Sequence, residues 1–316
     1  MIGAVVIGRN EGARLRACLA SLRGVVGNVV YVDSGSTDGS MATAQAADAT
    51  VLSLDPSRPF TAARARNEGL AQLKVTAPDT RYVQFIDGDC QVRDGWIKTA
   101  CFYLDTHPGH AVACGRRRER HPEASLWNRL IDIEWAAAPG PTKACGGDAM
   151  MRISALSEVG GFNPDLIAGE EPELCVRLRA AGWYIERLDA EMTWHDAEMS
   201  RLSQWWQRAR RAGHAGAEGM ALHGRLPERH GRARTLRALL WGAGLPALTG
   251  FSLFLTPWGL VLLLAYPAQI ARLAAKSKDV THAAFTVLAK FPEAQGVADF
   301  LWARLMGRRQ KLIEYK

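Results

Sequence analysis

Apolar runs of strand length alternate with helically spaced apolar residues from the first position onward. Ile2-Gly3-Ala4-Val5-Val6-Ile7 reads as a buried strand; the polar turn Gly8-Arg9-Asn10-Glu11-Gly12 closes it before Leu15, Leu19 and Leu22 recur at helical spacing. The unit then repeats. Val29-Val30-Tyr31-Val32 runs into Asp33 and the loop Ser34-Gly35-Ser36-Thr37-Asp38-Gly39-Ser40, followed by a short strand at Thr50 to Leu54, a helix from Thr61 to Leu73 and a strand at Tyr82 to Ile86. Strand, polar loop and helix in alternation predict an α/β fold, a Rossmann-like, mostly parallel sheet with helices on both faces. Ligands of such sheets gather beyond the carboxyl ends of the strands, where Asp33 and Asp87 stand.

The alternation loosens further on. A helix near Trp96 to Leu104 and a strand at Ala111 to Cys114 precede the basic cluster Arg116, Arg117, Arg118 and Arg120. Paired glycines in Cys145-Gly146-Gly147-Asp148 come before a short apolar strand, as at a tight bulge or where backbone approaches a ligand. Gly160-Gly161-Phe162-Asn163-Pro164 is a turn. Gly169-Glu170-Glu171-Pro172-Glu173-Leu174 opens a helix with acids in its first turn and proline near its start.

From Ala238 to Ala271 no residue is charged, a run of roughly 34, too long for one ordinary membrane span and short for two. Pro246, Pro257 and Pro267 interrupt it, and arginines and lysines flank both ends, which predicts a helical hairpin turning near Thr256-Pro257 with both ends cytoplasmic. It lies in the interface or makes two short spans; the soluble alternative is a hairpin buried between the subunits of a homo-oligomer. Amphipathic stretches follow at Phe285 to Phe291 and Val297 to Met306, where Arg304, Arg308, Arg309 and Lys311 suit lipid phosphates. The expected division is a catalytic domain over 1–222 and a helical membrane-associating region over 223–316.

Charge and cysteine usage narrow the partners. Thirty-nine Lys and Arg against 32 Asp and Glu leave a net charge of +7, concentrated in the later clusters. That balance suits nucleic acid, anionic lipid or phosphorylated substrates; the positive charge is local, and no nucleic-acid partner is expected. Six cysteines without metal-site or disulfide spacing read as reduced cytosolic thiols, and the opening strand leaves no signal peptide to expect. The expected location is the cytoplasmic face of the inner membrane.

Asp87-Gly88-Asp89 directly after an apolar strand offers two carboxylates beside a glycine, an arrangement that suits a hard divalent cation held against phosphates; an acidic turn needs no ion and is the plainer alternative. Asp33 beside its glycine-rich loop can accept hydrogen bonds from a ribose or base, and Arg64 and Arg66 can pair with a diphosphate. A carboxylate at the helix start near Glu171 is suited to general-base work, although dipole compensation alone would explain the three glutamates. His195 reads as a structural aromatic neighbour or as an extra ligand to a manganese-type ion.

In order along the chain, Val6-Ile7-Gly8-Arg9-Asn10-Glu11, Val32-Asp33-Ser34-Gly35-Ser36-Thr37-Asp38-Gly39, Ala65-Arg66-Asn67-Glu68-Gly69-Leu70, Asp87-Gly88-Asp89, Gly146-Gly147-Asp148 and Glu170-Glu171-Pro172-Glu173-Leu174 resemble the family 2 glycosyltransferases of GT-A fold. The resemblance runs from Ile2 to about Gly213 and implies transfer of a sugar from a nucleotide-sugar, a UDP-sugar by family frequency, with Mn2+ or Mg2+. It implies donor contacts at Ile7, Arg9, Glu11, Asp33, Ser34, Arg64, Arg66, Asn67, Asp87, Gly88 and Asp148. It further implies a metal at Asp89 with His195 and Asp87, and Glu171 beside Glu170 as the inverting base. Two features depart from the family pattern: Glu170-Glu171 replaces Glu-Asp, and Gln207-Arg208-Ala209-Arg210-Arg211 lacks the closing tryptophan of processive synthases, which implies single-sugar transfer. A membrane-held enzyme implies a lipid-linked or polysaccharide-precursor acceptor. A nucleotidyltransferase acting on sugar phosphates, or a non-catalytic lipid-binding membrane protein, are the competing readings.

Overall fold

The computed structural model describes residues 1–307, in two compact units that divide between Ser200 and Arg201. The first unit runs β1 (Ile2–Gly8), α1 (Ala13–Leu22), β2 (Asn28–Asp33), α2 (Ser40–Ala46), β3 (Thr50–Ser53), α3 (Ala62–Thr76) and β4 (Tyr82–Asp87). It continues with β5 (Cys90–Val92), α4 (Trp96–Thr106), β6 (His110–Glu119), α5 (Leu126–Trp135), β7 (Gly140–Pro141), β8 (Ala149–Arg152), α6 (Ile153–Glu158), α7 (Glu170–Ala180) and β9 (Tyr184–His195).

One sheet orders these strands β3-β2-β1-β4-β8-β6-β9-β5, with β7 on β9. The first four are parallel, as the alternating pattern dictates. Beyond β4 the sheet is mixed: β8 is antiparallel to both β4 and β6, β6 runs parallel to β9, and β5 is antiparallel to β9. Val5, Tyr31, Leu73, Phe85, Ile86, Trp96 and Met150 fill the core around it. Helix α3 lies tight on the sheet because Gly69 has no side chain; a Cβ there would come 2.5 Å from Val5 and 2.8 Å from Val32. The register pairs Gly8 with Asp33 and Ile7 with Asp87, so three strand ends open at one edge. At the other side, pairing of Cys90 with His195 brings the β4–β5 turn against the end of β9.

The second unit is helical: α8 (Leu202–His223), α9 (Arg232–Leu239), a π-helical turn (Leu240–Gly244), α10 (Leu245–Leu253), a 3₁₀ segment (Pro257–Leu264), α11 (Ala265–Ser277), α12 (Val280–Leu288) and α13 (Lys290–Leu305). Helix α8, which the sequence pattern assigns to the catalytic domain, packs here against α13. Glycines set that contact: a Cβ on Gly213 would lie 2.0 Å from the Glu293 carbonyl oxygen, and one on Gly296 1.9 Å from that of Arg210. The chain reverses between Leu253 and Pro257, where the Thr256 side chain accepts from the Trp258 N–H, and the 3₁₀ segment packs back on α10. That is the hairpin expected near Thr256-Pro257. Its tip is apolar and open, with Phe254 88% and Trp258 79% exposed. By length and composition, Pro257–Ser277 is long and apolar enough to cross a membrane. Of the expected basic tail, Arg308, Arg309, Lys311 and the stretch Leu312 to Lys316 lie outside the described residues.

Candidate active site

A buried arginine joins two of the sequence motifs. Arg66, 2% exposed on α3, donates through Nη2 to Asp87 Oδ1 at 2.9 Å and through Nη1 to Glu170 Oε1 at 2.6 Å. Burial disfavours its charge, but Asp87 and Glu170 more than offset that and raise its pKa. Its Nε is buried and finds no hydrogen-bond partner among the described residues. A second arginine, Arg117 of β6, lies with Nη2 2.8 Å from Asp148 Oδ2 and 3.8 Å from Asp87 Oδ2, its guanidinium over the Trp135 ring. Asp148 is fully buried; it also accepts from Thr193 Oγ1 and from the Asp87 N–H, and so ties β9 and β4 to the glycine loop. Gly147 leaves this cluster open: a Cβ there would stand 3.0 Å from both Arg66 Nη2 and Asp87 Oδ2.

Asp89 and His195 meet across β5 and β9. Asp89 Oδ2 is 3.3 Å from His195 Nε2, and both residues are buried. Asp89, Cys90 and His195 bring their ligand atoms within 4.8 Å of one another; Asp87, Cys90 and Asp148 form a neighbouring group. The imidazole is held from behind: Glu119 Oε2 lies 3.5 Å from Nδ1 and accepts from the Ala197 N–H, while Asn128 and the His121 N–H bond its other oxygen. Trp135 packs edge-on against the ring. A carboxylate behind a histidine that leaves Nε2 toward a second carboxylate is the usual support of a metal-ligating imidazole.

The two glutamates at the start of α7 diverge. Glu170 faces Arg66, whereas Glu171, 7% exposed, accepts through Oε1 from the Cys145 N–H and from Cys175 Sγ at 3.1 Å. Glu171 is thereby held to the loop that carries Gly146 and Gly147.

Other expected site residues are brought near but committed to the scaffold. Asp33, 1% exposed, accepts from Tyr31 Oη and from the Gly35 and Ser36 N–H groups, because the loop after β2 turns back over its carboxylate. The Ser34 N–H bonds the Gly8 carbonyl, and the Ile7 carbonyl accepts from Gly88. Gly88 packs close enough that a Cβ would meet Glu11 Cγ at 3.2 Å. Glu11 itself pairs with Arg14 at 2.9 Å. Arg9 stays exposed at the mouth of this edge. Arg64 is drawn into another task from the one expected: it pairs with Glu68 and donates to the Asp55 and Arg58 carbonyls, holding the loop before α3. Asn67 likewise exchanges hydrogen bonds with Phe162, whose turn it fixes. Arg117, Glu119 and Cys145 carry parts of the site that pattern reading passed over. For Arg117 the only signal was its place in a basic cluster; alternation along β6 would have set it apart from Arg116 and Arg118.

Residues 4–158 match the family described as Glycosyl transferase family 2. A pre-mycofactocin glycosyltransferase of Mycobacterium tuberculosis is 29% identical over 214 residues, which cover 62% of this chain and 43% of that protein. The chain thus spans less than half the length of the curated relatives it matches. Among solved structures, the mannosyltransferase PcManGT of Pyrobaculum calidifontis, determined with GDP-Man and Mn2+, superposes with a TM-score of 0.63 at 19% identity over 96% of this chain and 87% of that one. Residues 1–349 of S. aureus TarS superpose with a TM-score of 0.51 at 15% identity, covering 98% of this chain and 92% of that one. At these identities the likeness is one of fold.

Proposed function

We propose that the chain, whose residues 4–158 match glycosyl transferase family 2, is a glycosyltransferase that moves one sugar at a time from a nucleoside diphosphate sugar to an acceptor hydroxyl, with inversion. The observation that carries this reading is Arg66, buried and bonded at once to the strand-end Asp87 and to Glu170 at the start of the acidic helix. A fixed cation there, with Arg117 beside it and room above Gly147, suits a departing diphosphate whose charge grows as the bond to sugar breaks.

In this reading Glu171 accepts the acceptor's proton as the acceptor oxygen bonds the anomeric carbon from the face opposite the diphosphate. The Cys145 N–H and the Cys175 thiol hold its carboxylate in one orientation. Asp89 and His195, oriented by Glu119, would hold a divalent cation, with Asp87 alongside; a nitrogen ligand favours Mn2+ over Mg2+. When bound, such an ion supplies further charge stabilisation to the leaving diphosphate. PcManGT and TarS were solved with GDP-Man and UDP-GlcNAc respectively, which supports a nucleotide-sugar donor; a UDP-sugar is the first to test.

The exposed apolar hairpin supports attachment to the cytoplasmic face of a membrane and therefore a lipid-linked or polysaccharide-precursor acceptor. The deciding experiment is a thermal-shift series of UDP- and GDP-sugars with and without Mn2+, followed by transfer of labelled sugar into a lipid extract. A donor present at 100 times its dissociation constant should add about 2.7 kcal/mol of stability, and only with the metal. No stabilisation by any donor, or equal stabilisation after chelation, overturns the donor and metal assignments. Synthesis of a nucleotide-sugar from a sugar phosphate would favour the nucleotidyltransferase reading.

A further inference from the structure

Cys145 and Cys175 stand on separate elements, one in the loop before β8 and one in the second turn of α7. The fold brings their Sγ atoms to 3.8 Å. Glu171 Oε1 lies 3.1 Å from Cys175 Sγ, and the three ligand atoms fall within 4.8 Å of one another. All three side chains are buried, the cysteines at 2% and 0% exposure. Core cysteines ordinarily pack as small apolar groups. Two thiols that converge on a buried carboxylate are a different environment, since that carboxylate needs partners wherever water is excluded.

The spacing discriminates between chemistries. Two zinc–thiolate bonds of about 2.3 Å at a tetrahedral angle hold their sulfurs about 3.8 Å apart, the separation found here. A disulfide would need about 2.05 Å. Two sulfurs and one carboxylate oxygen are a donor set for Zn2+ with its fourth position open to water, whereas the oxygen and imidazole donors at Asp89 and His195 suit a harder ion. Charge also balances. The Cys175 pKa is raised, the lowering bond with the Cys145 thiol being outweighed by burial and the neighbouring Glu171, and burial raises Cys145; Zn2+ binding releases both thiol protons to solvent, and the two negative charges left on sulfur balance the dication.

We propose that Cys145, Cys175 and Glu171 form a second cation site, for a thiophilic ion such as Zn2+, and that its occupation stops sugar transfer by engaging the carboxylate that accepts the acceptor's proton. The binding part stands on geometry alone; the inhibitory part rests on Glu171 as the base. The site couples catalysis to free zinc through the residue that both uses share.

The test uses the full chain, stripped of metal and kept reduced with a phosphine, and titrated with Co2+ as the probe. One equivalent should produce near-ultraviolet thiolate-to-cobalt absorption that Zn2+ abolishes. Cys145→Ser and Cys175→Ser, each shown to be folded by far-ultraviolet circular dichroism, should weaken that binding by about tenfold or more, as loss of a metal ligand does. No thiolate absorption in the folded wild type, or absorption undiminished in the double variant, overturns the site. Added to enzyme saturated with Mn2+, Zn2+ should lower wild-type turnover by about tenfold or more, and Cys145→Ser should lose most of that sensitivity relative to its own zinc-free rate. Cobalt binding with undiminished turnover in zinc would uphold the site and overturn Glu171 as the base.

Discussion

Arg66 is the residue on which two motifs depend at once. Replacing it with Met removes the donor that Asp87 and Glu170 share, at carboxylates whose side chains are only 29% and 13% exposed, and leaves Asp87 with Arg117 at 3.8 Å. Breaking a buried pair in this way costs about 3 kcal/mol at the lower end of the usual range, the end that applies because Asp87 is partly solvated. Urea unfolding should show that loss; an unchanged midpoint would mean that the two carboxylates find water instead. Glu171→Gln keeps shape and removes the basic oxygen. Its turnover should fall by about 10²- to 10⁴-fold while donor binding in a thermal-shift assay persists. Wild-type turnover would take Glu171 out of the role. The Asp-Gly-Asp and Glu-Glu motifs were legible as motifs, but the hydrogen bonds that separate Glu170 from Glu171 were not, because adjacent residues on a helix face different neighbours.

At the scale of elements, the helical unit depends on glycines that let α8 and α13 approach backbone to backbone. Gly296→Ala would force a methyl to within 1.9 Å of the Arg210 carbonyl, which no rotamer can relieve. The helices must part, and melting of the α8–α13 contact should show a loss of about 1–3 kcal/mol. The hairpin is the second element with a separable test. Its turn was readable from three prolines and a charge-free run, and its exposure makes the tip the part to test for lipid contact. Phe254→Glu with Trp258→Glu should abolish flotation with liposomes and leave the circular dichroism spectrum unchanged. Continued flotation would move the lipid contact elsewhere on the chain. The parallel half of the sheet was equally legible, since unbroken apolar strands separated by helices admit few other arrangements. The antiparallel placement of β8 and β5 was not, because short strands after irregular loops carry no directional signal in their composition.

For the whole molecule, the net charge of +7 beside an apolar tip makes the electrostatic share of the proposed membrane contact measurable. Association with vesicles rich in anionic lipid should weaken as salt rises, because screening shortens the reach of the basic residues; on neutral vesicles salt should matter little. Salt-independent binding to both would leave the apolar hairpin as the whole of the contact. The sequence by itself determined the alternation of strands and helices, the carboxylates at strand ends and the long uncharged run, because each is a property of neighbouring residues and backbone period. Only the tertiary structure decided which charged groups share a partner. It set Arg66 between Asp87 and Glu170, put Glu119 behind His195, turned Arg64 and Asn67 to the scaffold, and brought Cys145 and Cys175 to Glu171. The physical reason is that ion pairs and hydrogen bonds form between groups far apart in the chain, and their partners follow from strand order and register, which local sequence does not encode.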